Sequence, residues 1–334
     1  MVVQDIPSSV SLEAASLGYR SDQPLLEGID LTAAAGEMIA LVGRNGSGKS
    51  TLLRSILGLI PLMGGLCRIQ GTPVQGFDSR ERARQVSFVA SGVEHAAVTV
   101  RELVALGRIP YTGWTGRPGE RDRAAVEQAI REVGLMPYMD RGMDQLSDGE
   151  RQRVMIARAM AQDTPLMLLD EPTAYLDVPH RFELVRLLAG FRDRGKTIIF
   201  STHDLELAMM AADRFWVIHE GQVHEGAPED LGLTGLFDEL FRDAGIGFDP
   251  LSGRFRYLVE RRGRISLNGP EGPVLTWTRL ALERLGYSVG EGDITTRVMA
   301  ITSAGGCHWH VERRGNTSSF DSLHALARFL KLHD

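Results

Sequence analysis

Only two cysteines, Cys67 and Cys307, occur in the 334 residues. They lie far apart and in no metal-ligand spacing, which excludes a disulfide framework and points to a reducing compartment such as the cytoplasm. Long apolar runs are missing too. The longest tract, Leu52 to Leu66, is broken by Arg54, Ser55, Pro61 and glycines, and falls short of a bilayer span. The first residues carry no basic region followed by an apolar one, so no secretory signal is expected and any membrane role falls to a partner. Basic excess is absent as well: the formal net charge is -6 and the pI is near 5.9, which disfavours nucleic acid as a partner. A hydrophobic share of 43% with a charged share of 24% is that of an ordinary soluble protein, and the length suffices for one large and one small domain.

Against these absences stands one dense stretch, Gly43-Arg-Asn-Gly-Ser-Gly-Lys-Ser-Thr51, which directly follows the apolar run Met38 to Val42. A strand running into a glycine-rich loop is the pattern of a phosphate site. Gly43, Gly46 and Gly48 let the backbone fold back so that amides, with those of Asn45, Ser47 and Thr51, face phosphate oxygens. Lys49 adds a point charge and Ser50 a hydroxyl for Mg2+. Leu52, Leu53, Ile56 and Leu57 recur at helical spacing, so the phosphates would sit on a helix N-terminus, where orphan amides favour negative charge.

Upstream, Val10 to Ala14 and Ile29 to Leu31 alternate as strands of an antiparallel region. Tyr19 lies just ahead of the loop, where its ring could stack on adenine; alone, a strand tyrosine is as readily plain packing. Val86 to Val89 reads as a strand, and Thr99-Val-Arg-Glu102 has capping-box spacing, so a helix is expected from about Val100 to Gly107. Ile109, Tyr111 and Trp114 follow on a loop broken by proline and glycine. Those aromatic rings either form a docking surface or fold back onto the domain. Two helical stripes come next, Arg121 to Val133 and Arg151 to Ala161, the second preceded by Leu146-Ser-Asp-Gly-Glu150. Leu166 to Leu169 is a short apolar strand ending in Asp170-Glu171. Adjacent carboxylates at the end of a buried strand are costly unless a metal or a reaction needs them. Thr197 to Phe200 is a further strand delivering Ser201-Thr-His-Asp204 to a loop.

In this order the parts resemble the ATPase subunit of ATP-binding cassette (ABC) transporters, over roughly residues 8 to 232. The resemblance implies an α/β P-loop ABC ATPase domain at 8–234, with a RecA-like core, an antiparallel β region and a helical subdomain, followed by a small C-terminal α/β domain at 245–334. It implies ATP and Mg2+ as cofactors. By its pattern Tyr19 stacks on adenine, Asp170 holds Mg2+ through water, Glu171 polarises the attacking water, and His203 contacts the γ-phosphate. Ser147 and Gly149 belong to the family signature, which closes over ATP held by another subunit, and Asp177 lies in the loop crossing between subunits. A homodimer of cassettes on the cytoplasmic face of the cell membrane is therefore implied, with transmembrane permease subunits and, indirectly, an extracytoplasmic binding protein. The residue types fit phosphoryl transfer in their own right: lysine, Mg2+, a carboxylate and an imidazole neutralise charge and hold water in line.

Two departures from the family pattern stand out. Ser91 stands where a glutamine is usual after the Val86–Val89 strand, and it retains an oxygen able to hold a metal-bound water. The signature reads Leu-Ser-Asp-Gly-Glu in place of Leu-Ser-Gly-Gly-Gln, placing carboxylates near a site that receives a phosphate. Thr99 to Trp114 and the Ala161 to Pro165 approach look like importers of iron-siderophore complexes, haem and cobalamin. Other importer or exporter classes, and soluble cassette ATPases of regulation, DNA repair or translation, are the rival readings; the repair and translation proteins carry long coiled-coil insertions or paired cassettes, which this chain lacks.

Past Leu231 the cassette pattern ends. Gly245 to Pro250 reads as a linker or an entry turn, Arg254–Arg261 with Arg264–Leu267 as a hairpin, Leu275–Leu285 as a helix, Val298–Thr302 with His308–Arg313 as a second hairpin, and Ser319–Leu330 as a helix. Strand-strand-helix twice over suggests a duplicated ββα unit. Cys307-His-Trp-His310 invites a metal reading. On a strand, however, His308 and His310 share one face and Cys307 the other, so the three cannot converge without a bend. Regulation or dimer contact is the expected role of this part.

Overall fold

The computed structural model describes residues 8–19, 23–92, 97–113, 116–250, 252–290, 296–303 and 306–332. Trp114 lies outside them. The chain divides into two compact units, Met1–Leu236 and Phe237–Asp334.

In the first unit two sheets form. β1 (Ser8–Leu17), β2 (Leu26–Ala34), β4 (Gly64–Ile69) and β5 (Thr72–Pro73) make an antiparallel sheet in the order β2-β1-β4-β5. The second sheet, ordered β10-β9-β3-β8-β7-β6, is parallel except at β10. Its strands are β3 (Met38–Gly43), β6 (Val86–Val89), β7 (Leu166–Leu169), β8 (Thr197–Ser201), β9 (Arg214–His219) and β10 (Gln222–Gly226). β3, β7 and β8 are buried along their whole length. Continuous apolar runs replace alternation here because a parallel sheet with connecting helices is covered on both faces.

Between these strands lie α1 (Lys49–Ile56), α2 (Ser79–Gln85), α3 (Val100–Ala105), α4 (Glu120–Glu132), α5 (Asp148–Ala161), α6 (Val178–Arg192) and α7 (Leu205–Met209). α3, α4 and α5 pack on one another as a helical group inserted between β6 and β7. The capping box expected at Thr99 is formed: Glu102 donates its N–H to Thr99 Oγ1 (3.3 Å) and accepts from the Thr99 N–H (2.8 Å). A 3-10 segment, Leu106–Tyr111, continues this helix. Gly107 is required there, since a Cβ would lie 2.3 Å from the Arg158 carbonyl of α5. The Tyr111 ring folds back onto its own domain, with the Arg108 guanidinium 4.0 Å and that of Arg84 5.5 Å from its centroid. Tyr111 is thus half-buried against its own domain, whereas Ile109 is exposed.

After α8 (Pro228–Leu233) comes α9 (Leu236–Phe241), at the junction of the two units. The stretch read as a linker is a strand: β11 (Ile246–Asp249) pairs antiparallel with β12 (Arg254–Tyr257). β12 therefore does not form the expected hairpin with β13 (Gly263–Asn268). Its Phe255 instead joins Phe237, Phe241 and Phe248, with ring centroids 5.1 to 6.0 Å apart, an aromatic cluster that stabilises the β11–β12 pairing. β13 lies parallel to both β14 (Tyr287–Val289) and β15 (Thr296–Ser303), giving the order β14-β13-β15-β16-β17 with β16 (Gly306–Arg313) and β17 (Asn316–Phe320). The first half is thus β-α-β and the second β-β-β-α, so the ββα duplication does not hold.

α10 (Pro273–Arg284) and α11 (Leu323–Leu332) cover this sheet, joining Leu282, Leu326 and Leu330 to Ile265, Val298, Trp309 and Val311 in one core. Within it the Trp309 indole N–H donates to Thr278 Oγ1 (2.7 Å), and Thr278 donates onward to the Val274 carbonyl (2.6 Å). Thr278→Val keeps the shape but leaves the buried indole N–H without an acceptor, which costs about 1–3 kcal/mol. We expect the melting temperature of the second unit to fall by about 4 °C or more, read by near-UV circular dichroism of the full chain. An unchanged melting profile would remove this hydrogen bond from the account of its stability.

Candidate active site

The C-terminal edge of the parallel sheet is where ligand-binding loops of such sheets converge. β3 emerges there into the glycine-rich loop. Gly46 and Gly48 adopt φ of 78° and 112°, left-handed conformations that an L side chain resists, and they turn the chain so that α1 starts at Lys49. The N-cap Gly48 offers no side-chain acceptor, so the first amides of α1 remain available to an anion. Lys49 is buried and donates to the Gly43 carbonyl (2.8 Å) and the Arg44 carbonyl (3.1 Å). Burial lowers its pKa below the ordinary lysine value, while the nearby Glu171 and Asp170 pull the other way.

β7, separated from β3 by β8, ends in those two carboxylates. Asp170 is wholly buried. Its Oδ1 accepts from Ser201 Oγ at 2.7 Å, and its Oδ2 has no hydrogen-bond partner. Glu171 follows with φ of 52°, a strained backbone for a residue with a Cβ and a mark of functional sites. Its N–H donates to Ser201 Oγ (2.8 Å), and its Oε1 lies 2.5 Å from His203 Nε2. Ser201 thus bridges both acidic residues. Sequence reasoning gave it no role, although a hydroxyl ending the strand beside the acidic one was a readable signal.

A buried carboxylate oxygen without a donor, close to a lysine and at the end of a phosphate loop, is the environment a hard divalent cation satisfies. The hydroxyl of Ser50 is a donor of the same oxygen type. These residues therefore fit Mg2+. Ser91 follows β6, the strand beside β7, and is exposed with no hydrogen bond among the described residues. Tyr19, 69% exposed, is linked to the loop by the Thr51 hydroxyl, which lies 3.4 Å from its own.

Ser147, Gly149 and Asp177 form a separate group. Ser147 caps α5: the Glu150 N–H donates to its Oγ (3.3 Å), and that Oγ donates to Glu150 Oε2 (2.8 Å). A Cβ on Gly149 would lie 3.3 Å from the Tyr175 carbonyl, which sets α5 against the loop leading to Asp177. Asp177 caps α6, accepting from the His180 N–H at 3.2 Å and contacting the His180 ring. No hydrogen bond joins this group to Lys49, Asp170 or Glu171 among the described residues. Burial resists ionisation of Glu150, but the Ser147 N–H and hydroxyl, with Arg153 and Arg141 nearby, outweigh it and hold its pKa below the ordinary value. The signature consequently carries a fixed negative charge at neutral pH.

Comparison with known proteins agrees with this arrangement. Residues 26–174 match the ABC transporter family model, and residues 262–331 match the iron ABC transporter C-terminal domain. The chain is similar to the achromobactin transport ATP-binding protein CbrD of Dickeya dadantii (37% identical, covering 73% of this chain and 91% of that protein). It also resembles the cobalamin import ATP-binding protein BtuD of Halobacterium salinarum (35% identical, 84% of this chain and 68% of that protein). Among solved structures, the ATP-binding cassette MJ0796, a dimer bound to ADP and Pi, aligns with a TM-score of 0.59 at 28% identity, over 65% of this chain and 98% of that one. The phosphate loop, the paired acidic residues after β7 and this breadth of similarity together make the chain a member of the ABC transporter ATPase family.

Proposed function

We propose that this chain is the ATP-hydrolysing subunit of a membrane importer for an iron chelate, haem or cobalamin, acting as a homodimer at the cytoplasmic face of the cell membrane. The observation that carries the reading is the wholly buried Asp170 carboxylate with one oxygen unpartnered, close to Lys49. Isolated buried charge is costly, and a Mg-nucleotide accounts for it. The cargo class is supported by the relatives' names and by the iron-transporter match over 262–331.

In this reading the amides of Gly43, Asn45, Gly46, Ser47, Gly48 and Thr51 cradle the phosphates, and Lys49 exchanges its loop carbonyls for phosphate oxygens. Ser50, Asp170 and Ser91 hold Mg2+ directly or through water. A Mg2+ held by these residues would supply positive charge against the charge that builds up during phosphoryl transfer. Glu171 accepts a hydrogen bond from a water and holds it in line. The water oxygen attacks the γ-phosphorus as the bond to the bridging oxygen breaks, giving ADP and phosphate. His203 moves from Glu171 to the γ-phosphate, Ser201 positions both acidic residues, and Tyr19 stacks on adenine. Ser147 and Gly149 close over the nucleotide of the partner cassette, with Asp177 at the crossing. Tyr175 and Val178, both at least 60% exposed, flank Asp177 and offer apolar surface to that partner. Leu106 and Ile109, exposed on the helical group, remain as contacts for the permease, which an extracytoplasmic binding protein would supply.

Glu171→Gln should bind ATP and trap the dimer while ADP release falls by about 10²-fold or more, and uptake of ferric siderophore, haem or cobalamin into vesicles holding the cognate permease should stop. Unchanged turnover would remove Glu171 from the mechanism, and hydrolysis without uptake of any of the three would overturn the cargo assignment. Ser201→Ala should cut turnover by roughly 10-fold and raise the Mg2+ needed for half-maximal rate, a split that mere loss of fold would not produce. For Glu150→Gln, removal of the fixed charge should tighten the ATP-dependent dimer by roughly fivefold, measured by sedimentation equilibrium; weaker association would show that the charge orders the cap instead.

A further inference from the structure

In the second unit α10 and α11 leave a groove between them of about 620 Å³. Its floor is apolar, with Leu285 and Ala327 at its base, and Trp277 stands in its wall 64% exposed. Arg284, Arg328 and Lys331 edge it, and no acidic side chain lines it among the described residues. None of these cations makes an ion pair among the described residues. Arg284 and Lys331 lie in the last turns of their helices, where a cation suits the helix dipole, and this explains their sign. It does not explain an uncovered tryptophan between them, whose apolar area would be buried if packing alone set its place.

We propose that this groove binds a small amphipathic anion, an aromatic or aliphatic body bearing a carboxylate, sulfonate or phosphate. The apolar floor and the indole face take the body, and the cations take the charged end. A volume of this size suits one small molecule and is too small for a folded partner. The proposal is independent of the cargo reading, since it concerns residues remote in sequence from all the nucleotide motifs.

The test uses the full chain and the fluorescent probe 8-anilinonaphthalene-1-sulfonate, one aromatic body with one negative charge, with saturating Mg-ATP present to occupy the nucleotide site. We expect a saturable, blue-shifted signal that Trp277→Ala weakens, and that Arg284→Glu combined with Arg328→Glu weakens by roughly tenfold. The neutral analogue N-phenyl-1-naphthylamine should bind roughly tenfold less tightly. Equal affinity for the two probes, or full retention in the charge-reversed variant, overturns the proposal. Sedimentation velocity on the same samples separates a further alternative: if charge reversal changes self-association and leaves probe binding intact, the face is a contact between copies and the ligand site is rejected. Should the double variant misfold by circular dichroism, Trp277→Ala decides alone, because its exposed ring contributes little to the core.

Discussion

The structure depends on one costly placement, a carboxylate wholly buried at the end of β7. Ser201 satisfies one oxygen of Asp170 and leaves the other without a hydrogen-bond partner. Everything around it is arranged to make that charge tolerable. The sheet is parallel, so β3, β7 and β8 open at the same edge and bring Lys49, Asp170, Glu171 and Ser201 together from three distant parts of the sequence. Lys49 donates to loop carbonyls and His203 lies against Glu171, so internal partners hold these side chains in place.

A second electrostatic constraint lies at the start of α5. Glu150 completes a capping box with Ser147, which stabilises the helix start and orders the hydroxyl. The same carboxylate adds negative charge near a residue expected to receive a phosphate. A neutral glutamine keeps the hydrogen bonds without the charge. Helix stability and phosphate affinity are therefore in tension at this one position.

The loop after α3 shows how a local rule is overridden. Tyr111 on a proline-broken segment looks like an exposed anchor, yet the Arg108 and Arg84 side chains draw its ring onto the domain. Ile109 and Leu106 have no such partners and remain outward. The second unit repeats the lesson with strands. β12 alternates well enough to pair with β13, but Phe255 joins three other phenylalanines, Phe237, Phe241 and Phe248, and β11 becomes its partner.

What the sequence determined by itself was whatever depends on short spacing: the strand-to-loop-to-helix phosphate site, the Thr99 capping box, the apolar strand ending in Asp170-Glu171, and the cassette order of these parts. Residue type and neighbours set those features, because each is closed by backbone geometry within a few residues. Only the tertiary structure decided that Ser201 bridges the two acidic residues, that Asp170 keeps an unpartnered oxygen, that Tyr111 turns inward, and that β13 pairs with β14 and β15 in place of β12. Apart from the Arg108–Tyr111 contact, these depend on residues distant in sequence, where burial and competing partners choose among pairings that local pattern leaves equal.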